Sequence, residues 1–279
     1  MNERIGFMQG RLSKPVKNLI QAFPWEDWEK EFKIANEISV NLMEWTLDDY
    51  KFFENPIMNN IGRKKIKDLR KRFKINIHSL TGDCFMQKPF WKANLEKRKV
   101  LEDKFLFVCE SCSSLGVKII VVPLVDNGAI ENSGQEDRLV EFFLDNVSRF
   151  QKLNLQIAFE SDYIPLKLKM FISKFPENLF GINYDTGNSA ALGFNSSEEF
   201  YEYGKRIINV HIKDRVFKGK TVPLTKGNAD FKKIFRGLND LGYKGNFILQ
   251  TARAIDGNHS ELIKNYQRFV SEEFFGKFN

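Results

Sequence analysis

The chain has 279 residues, longer than most single domains but close to the roughly 250 of a (β/α)8 barrel. Its 42% hydrophobic and 28% charged residues exclude a disordered chain, and no apolar run approaches the roughly 20 residues needed to span a bilayer. The net charge of +7, from 43 basic and 36 acidic residues, would suit an acidic partner, but no recognised nucleic-acid motif accompanies it.

The opening Met1-Asn2-Glu3-Arg4-Ile5-Gly6-Phe7 enters a strand-like segment with no signal-peptide core before it. A cytoplasmic protein is therefore expected, with neither nucleic acid nor membrane as partner and with self-association left open. From there, short β-branched runs alternate with helical patterns to the end of the chain. Strands are expected at Ile5–Met8, Val40–Trp45, Ile75–Ser79, Val117–Val122, Leu155–Phe159, Phe180–Tyr184, Ile207–Ile212 and Asn246–Leu249. Amphipathic stretches lie between them, among them Trp25–Glu37, Arg138–Phe150, Phe231–Leu241 and His259–Phe269.

The basic run from Arg63 to Lys74 places Ile66, Leu69 and Phe73 at helical spacing, which predicts one buried stripe and a solvated basic face. Cys109 and Cys112 fall inside a helical stretch, Lys104 to Leu115. No second pair or nearby histidine follows, so packing rather than zinc or redox chemistry is expected of them. Eight strand–helix units predict one closed parallel barrel, a single (β/α)8 TIM barrel spanning 1–279. An open doubly wound sheet would carry a glycine-rich loop after the first strand, where this chain has Met8-Gln9-Gly10-Arg11-Leu12.

Such barrels build their sites where strands end and βα loops begin. Strand five ends in Glu160, strand six in Asp185, strand seven in His211 and strand eight in Gln250. Two carboxylates, an imidazole and an amide oxygen on one face make a donor set for a divalent ion, and carboxylates crowded at one mouth need a cation or shared protons.

The segments Phe159-Glu160, Tyr184-Asp185-Thr186-Gly187-Asn188, His211-Ile212-Lys213-Asp214-Arg215 and Val222 to Phe231 resemble the xylose-isomerase-like barrels, a group of sugar isomerases and epimerases. The opening Ile5 to Ser13 is similar as well. The resemblance covers nearly the whole chain and is strongest in the C-terminal half. It implies an isomerase or epimerase acting on a sugar or sugar phosphate by proton transfer α to a carbonyl. It also implies Glu160, Asp185 and His211 as ligands of Mn²⁺, Mg²⁺, Co²⁺ or Zn²⁺.

Gln250 stands where the family carries a glutamate that is both ligand and second base. An amide can coordinate through oxygen but cannot take the proton. Two-base epimerisation thus needs a substitute such as Asp214 or Asp83, whereas a cis-enediol isomerisation needs Glu160 alone. Catalysis is accordingly expected of Glu160, with Gln250 beside it. Substrate contacts are expected from Asn188, Lys213, Asp214, Arg215, Arg253, Arg11 and His78, the cations Arg11, Lys213, Arg215 and Arg253 being able to clamp a phosphate or to pair with nearby aspartates. The alternatives are a dehydratase of the same fold acting on a polyol or keto-inositol, and a barrel without catalysis. A trinuclear-zinc apurinic endonuclease needs more histidines than the three present.

Overall fold

Eight parallel strands close on one another: β1 (Ile5–Met8), β2 (Leu42–Thr46), β3 (Asn76–Thr81), β4 (Ile119–Leu124), β5 (Gln156–Ser161), β6 (Phe180–Asp185), β7 (Ile207–Ile212) and β8 (Asn246–Leu249). Each pairs with its sequence neighbours, and β1 pairs with β8 to complete the barrel. Helices flank the strands on the outside, so the fold is the (β/α)8 barrel expected. These coordinates are a computed structural model, which describes residues 3–16, 19 and 21–276. Among the described residues, no helix is long and apolar enough to cross a membrane.

The strands form because their apolar runs are covered on both faces, as parallel sheets require; all six residues of β4, Ile-Ile-Val-Val-Pro-Leu, are buried. Asparagine starts many of the helices. The side chains of Asn59, Asn94, Asn132, Asn195 and Asn258 each accept a backbone N–H from the first turn, a cap worth about 1 kcal/mol.

The abundant phenylalanines fill the layer between strands and helices. Phe90, Phe105, Phe142, Phe143 and Phe159 lie in a chain of edge and tilted contacts with neighbouring ring centroids 4.6–6.4 Å apart. Burying each such side chain contributes about 1.5–3 kcal/mol. Inside the barrel the apolar filling is small: Met8, Leu42 and Ile248 form one group, and Ile119, Val121 and Ala158 another. Polar side chains occupy the rest of the interior.

The expected strands β1, β7 and β8 coincide with those observed, and β6 gains only Asp185. The others begin one or two residues later than expected and run one or two residues further. Thr46, Thr81, Pro123 and Glu160 continue the ladder although they are not apolar strand formers. The expected helix Arg138–Phe150 is two, Ser133–Asp145 and Val147–Leu153, separated at Asn146. Helix Asn60–Phe73 buries Ile66 and Leu69, as the stripe predicts, and Phe73 packs against the core. Cys109 and Cys112 are buried on helix Leu95–Ser114 with thiols pushed upward by burial, which leaves them inert packing residues.

Candidate active site

Three of the strand-end residues converge. Ligand atoms of Glu160, Asp185 and His211 all lie within 4.8 Å of one another, and all three side chains are buried at the C-terminal ends of β5, β6 and β7. Strand pairing sets two of these positions side by side: beyond a register shift at Ile182/Asn183, Asp185 pairs with His211 across the β6–β7 ladder.

The motif Asp185-Thr186-Gly187-Asn188 builds one wall. Asp185 Oδ1 accepts the backbone N–H groups of Gly187 (2.9 Å) and Asn188 (2.8 Å), capping the helix that starts there, so Oδ2 is left to face the site. Thr186 Oγ1 donates to Lys213 O at 2.6 Å and accepts Lys213 N–H at 2.9 Å, tying the end of β6 to the end of β7. Gly187 is required by proximity, since a Cβ there would stand 2.6 Å from Lys213 Cγ. Asn188 Nδ2 donates to Glu160 Oε1 at 2.6 Å, while Asn188 Oδ1 accepts from Lys213 Nζ (3.2 Å) and Arg215 Nη1 (2.8 Å).

Beneath this wall lies a network that sequence reading missed. His211 Nε2 is 2.7 Å from Glu44 Oε1, and both side chains are wholly excluded from solvent. Glu44 also accepts from Ser79 Oγ (2.6 Å), Thr81 Oγ1 (2.5 Å) and Asn209 Nδ2 (2.9 Å), so each of its oxygens has two partners. Asn209 Nδ2 donates to Asn183 Oδ1 as well, which turns Asn183 Nδ2 toward Glu160 Oε2 (2.6 Å) and His211 Nδ1 (3.0 Å). His211 Nδ1 is 3.2 Å from Glu160 Oε2. Burial alone would depress the imidazole, but the carboxylates of Glu44 and Glu160 outweigh it and hold the histidine up at about 10. Burial likewise works to raise Glu44, and the histidine with its hydroxyl donors keeps it below the usual carboxylate range. A periodicity signal for these residues existed: Asn183 precedes Asp185 by two positions and Asn209 precedes His211 by two, the spacing of one strand face.

A divalent ion fits this donor set. Two carboxylates and an imidazole crowd into one buried pocket, and His211 carries on its other nitrogen the carboxylate that metal-bound histidines characteristically have. Gln250 is adjacent but differently engaged, because its Oε1 accepts from Lys213 Nζ at 3.2 Å.

The cations expected to clamp substrate are committed to the protein. Lys213 Nζ meets Asp185 Oδ2 (3.1 Å), Asn188 Oδ1 and Gln250 Oε1, three acceptors for three donors. Arg215 donates from Nε (3.1 Å) and Nη2 (2.9 Å) to Gly219 O. Arg253 Nη1 donates to Gly10 O and to Ser13 O (2.6 Å), and Arg11 Nε donates to Thr251 O (2.9 Å). The acceptors are mostly backbone carbonyls rather than the aspartates considered from sequence.

Asp214 is fully buried and accepts the N–H groups of Gly227 (2.9 Å) and Ala229 (3.1 Å), pinning the loop after the two-residue ribbon of Asp214–Arg215 and Thr221–Val222. Gly227 is needed there, since a Cβ would stand 2.2 Å from Asp214 Oδ1. His78 lies mid-strand, not at the end of β3. It falls at the register shift where Ile77 pairs with Met43 and Ser79 with Glu44, and it forms no hydrogen bond to the cluster. Trp45 is core, donating its indole N–H to Asn55. Asp83, after β3, is buried, and its carboxyl is pushed up to about 7 by burial and then by the charges of Glu160 and Asp48, against the pull of Arg11.

No curated protein matches the chain in sequence. Solved structures are similar over nearly their whole length. The structure of D-psicose 3-epimerase in the presence of D-fructose has a TM-score of 0.76 at 12% identity, covering 97% of this chain and 99% of that one. The IOLI protein with a binding zinc atom has a TM-score of 0.73 at 15% identity, covering 99% of both chains. The 3-keto-D-glucoside 4-epimerase YcjR from E. coli has a TM-score of 0.69 at 15% identity, covering 96% of this chain and 98% of that one. At these identities the likeness is one of fold. The sequence profile of the xylose isomerase-like TIM barrels matches residues 32–270, and the chain belongs to that family.

Proposed function

We propose that the protein is a metal-dependent aldose–ketose isomerase of an unphosphorylated sugar, working through an enediolate. The observation that carries this reading is the buried convergence of Glu160, Asp185 and His211 at the barrel mouth. A bound divalent ion would polarise the substrate carbonyl and stabilise the negative oxygen of the enediolate. Asp185 and His211 would hold that ion together with Glu160. Glu160 also takes the proton from the carbon α to the carbonyl and returns it to the neighbouring carbon on the same face. Its carboxylate is oriented for this by Asn183 and Asn188.

The restriction to a neutral sugar is supported by the commitments of Lys213, Arg215, Arg253 and Arg11, each of which is engaged by protein acceptors. A phosphate would have to displace those bonds to gain its own.

A second reading, epimerisation at one carbon, is favoured by Asp83. It is a buried carboxyl whose proton affinity suits a donor at neutral pH and whose titration feels the charge of Glu160, whereas Asp214 is held by its loop. The test is incubation of the Mn²⁺-loaded protein in deuterated water with neutral ketoses and, in parallel, ketose phosphates. Deuterium incorporation with aldose formation from a neutral ketose supports the main reading, and inversion at C3 supports the second. Turnover confined to phosphorylated sugars would overturn the substrate class. Absence of both product formation and deuterium exchange with every sugar would overturn the reaction.

A further inference from the structure

The strand-eight corner of the site is filled by a charge that sequence position alone would not put there. Lys213 leaves β7 beyond His211, passes over Gly187, where no Cβ obstructs its stem, and ends on Asp185 Oδ2, Asn188 Oδ1 and Gln250 Oε1 at 3.1–3.2 Å. Its three N–H donors are matched by three acceptors. Asp185 is at once its ion-pair partner and a member of the candidate metal set, and Lys213 itself is largely buried.

We propose that the ε-ammonium of Lys213 is a built-in counter-ion of the metal centre. In this arrangement Gln250 anchors Lys213 rather than ligating, and a divalent ion is held by Glu160, Asp185 and His211 alone. The inference rests on the metal-dependent reading above and sharpens it. An amide oxygen suits the anchoring role, because it accepts the ammonium proton without adding a carboxylate that would cancel its charge. Glu160 and Asp185 carry two negative charges and Lys213 returns one positive charge, so a divalent ion leaves these groups together at +1 facing an anionic enediolate, with the Glu44 carboxylate on the other nitrogen of the His211 ring. Three protein ligands also leave coordination open to substrate oxygens.

The consequence is counterintuitive for a residue touching a metal ligand: removing it should tighten metal binding. Mn²⁺ alone is titrated into chelator-treated protein, free ion being read by electron paramagnetic resonance and heat by calorimetry. Wild type is compared with Lys213→Met, Lys213→Gln and Gln250→Ala, and circular dichroism of the metal-free forms verifies folding. Both Lys213 variants should bind Mn²⁺ about tenfold or more tightly than wild type, because a positive charge beside the ion is removed. Gln250→Ala should leave the affinity within about threefold or raise it.

A merely structural role for Lys213 predicts the opposite sign, since disrupting the wall of a site weakens it. Unchanged or weaker binding by whichever Lys213 variant folds would overturn the proposal. So would a loss of tenfold or more in Gln250→Ala, which would make Gln250 a ligand. Uptake of Mn²⁺ by wild type with either of those results leaves the metal-dependent reading standing. Failure of wild type and of every folded variant to bind Mn²⁺ would remove both.

Discussion

His211 Nε2 and Glu44 Oε1 are 2.7 Å apart in a part of the barrel that water does not reach, and this contact joins the candidate metal site to the interior of β2 and β3. Glu44 fixes the ring, and Asn183 and Asn209 fix what faces its other nitrogen. Glu44→Gln keeps the shape but removes the charge that orients and enriches the imidazole. Metal affinity should fall by about 10–100-fold, and the metal-free protein should lose about 1–3 kcal/mol as buried donors lose a charged acceptor. Calorimetric titration with Mn²⁺ and urea unfolding measure the two effects. Wild-type affinity in this variant would mean that Glu44 serves packing alone.

The same contact sets a pH dependence for the metal-free protein. His211 is raised to about 10 in the folded state against an ordinary value near 6.5. A raised base contributes stability that is complete below the unfolded value and is lost as pH rises through the folded one. The stability difference between wild type and His211→Asn should therefore be greatest at pH 6 and shrink between pH 6.5 and 10. A difference that stays flat across that window would show that the imidazole carries no extra proton in the folded chain.

Much of this site could be read from sequence, and the remainder could not for identifiable reasons. The residues Glu160, Asp185 and His211 were readable because chemistry in this fold sits at strand ends, and a strand end is a local feature. The barrel followed from eight alternating units, and β1, β7 and β8 from short runs rich in apolar and β-branched residues. Glu44 was visible as a residue but not as a hub, because its partners Ser79, Thr81, Asn209 and His211 come from β3 and β7 and are joined only by closure of the barrel. The mouth cations resisted reading for a similar reason. Arg253 reaches the carbonyls of Gly10 and Ser13 some 240 residues away, and no spacing rule announces a backbone acceptor.

Glu160→Gln removes a ligand and the base that faces the site. Turnover should fall by a factor of 100 or more, the contribution typical of a general base. Asp83→Asn separates the two reactions considered. Isomerisation by a single base should continue within about tenfold of wild type, whereas an epimerase that relies on Asp83 should lose inversion while still exchanging solvent deuterium. Full activity in Glu160→Gln would transfer the base to another residue.

Asp214→Ala tests the loop role of that aspartate. Two half-buried N–H groups, on Gly227 and Ala229, lose their acceptor. At about 0.5–1.5 kcal/mol for each hydrogen bond lost, the melting temperature should drop by several degrees. Mn²⁺ affinity measured at 15 °C, well below the transition, should remain near that of wild type. A selective loss of substrate affinity without loss of stability would return Asp214 to the binding surface.

Gln250→Glu restores to strand eight the carboxylate that the family resemblance leads one to expect, but it does so beside Lys213. The new carboxylate meets the ammonium now accepted by Gln250 Oε1 at 3.2 Å, so its charge is partly spent on that pair before any ion arrives. In the wild-type background the gain in Mn²⁺ affinity should be modest. In the Lys213→Met background the same substitution should tighten binding strongly, since no ammonium competes for it. The four proteins form a double-mutant cycle, and a coupling of about 0.5–3 kcal/mol between positions 213 and 250 is expected. The reaction should change with the charge. Gln250→Glu lowers the positive charge facing the enediolate and so slows a one-base isomerisation. It also adds a carboxylate able to deliver a proton from a second position, so slow inversion at the enediolate carbon should appear in deuterated water. Additive effects at the two positions would mean that Lys213 and Gln250 act independently, despite the hydrogen bond between them.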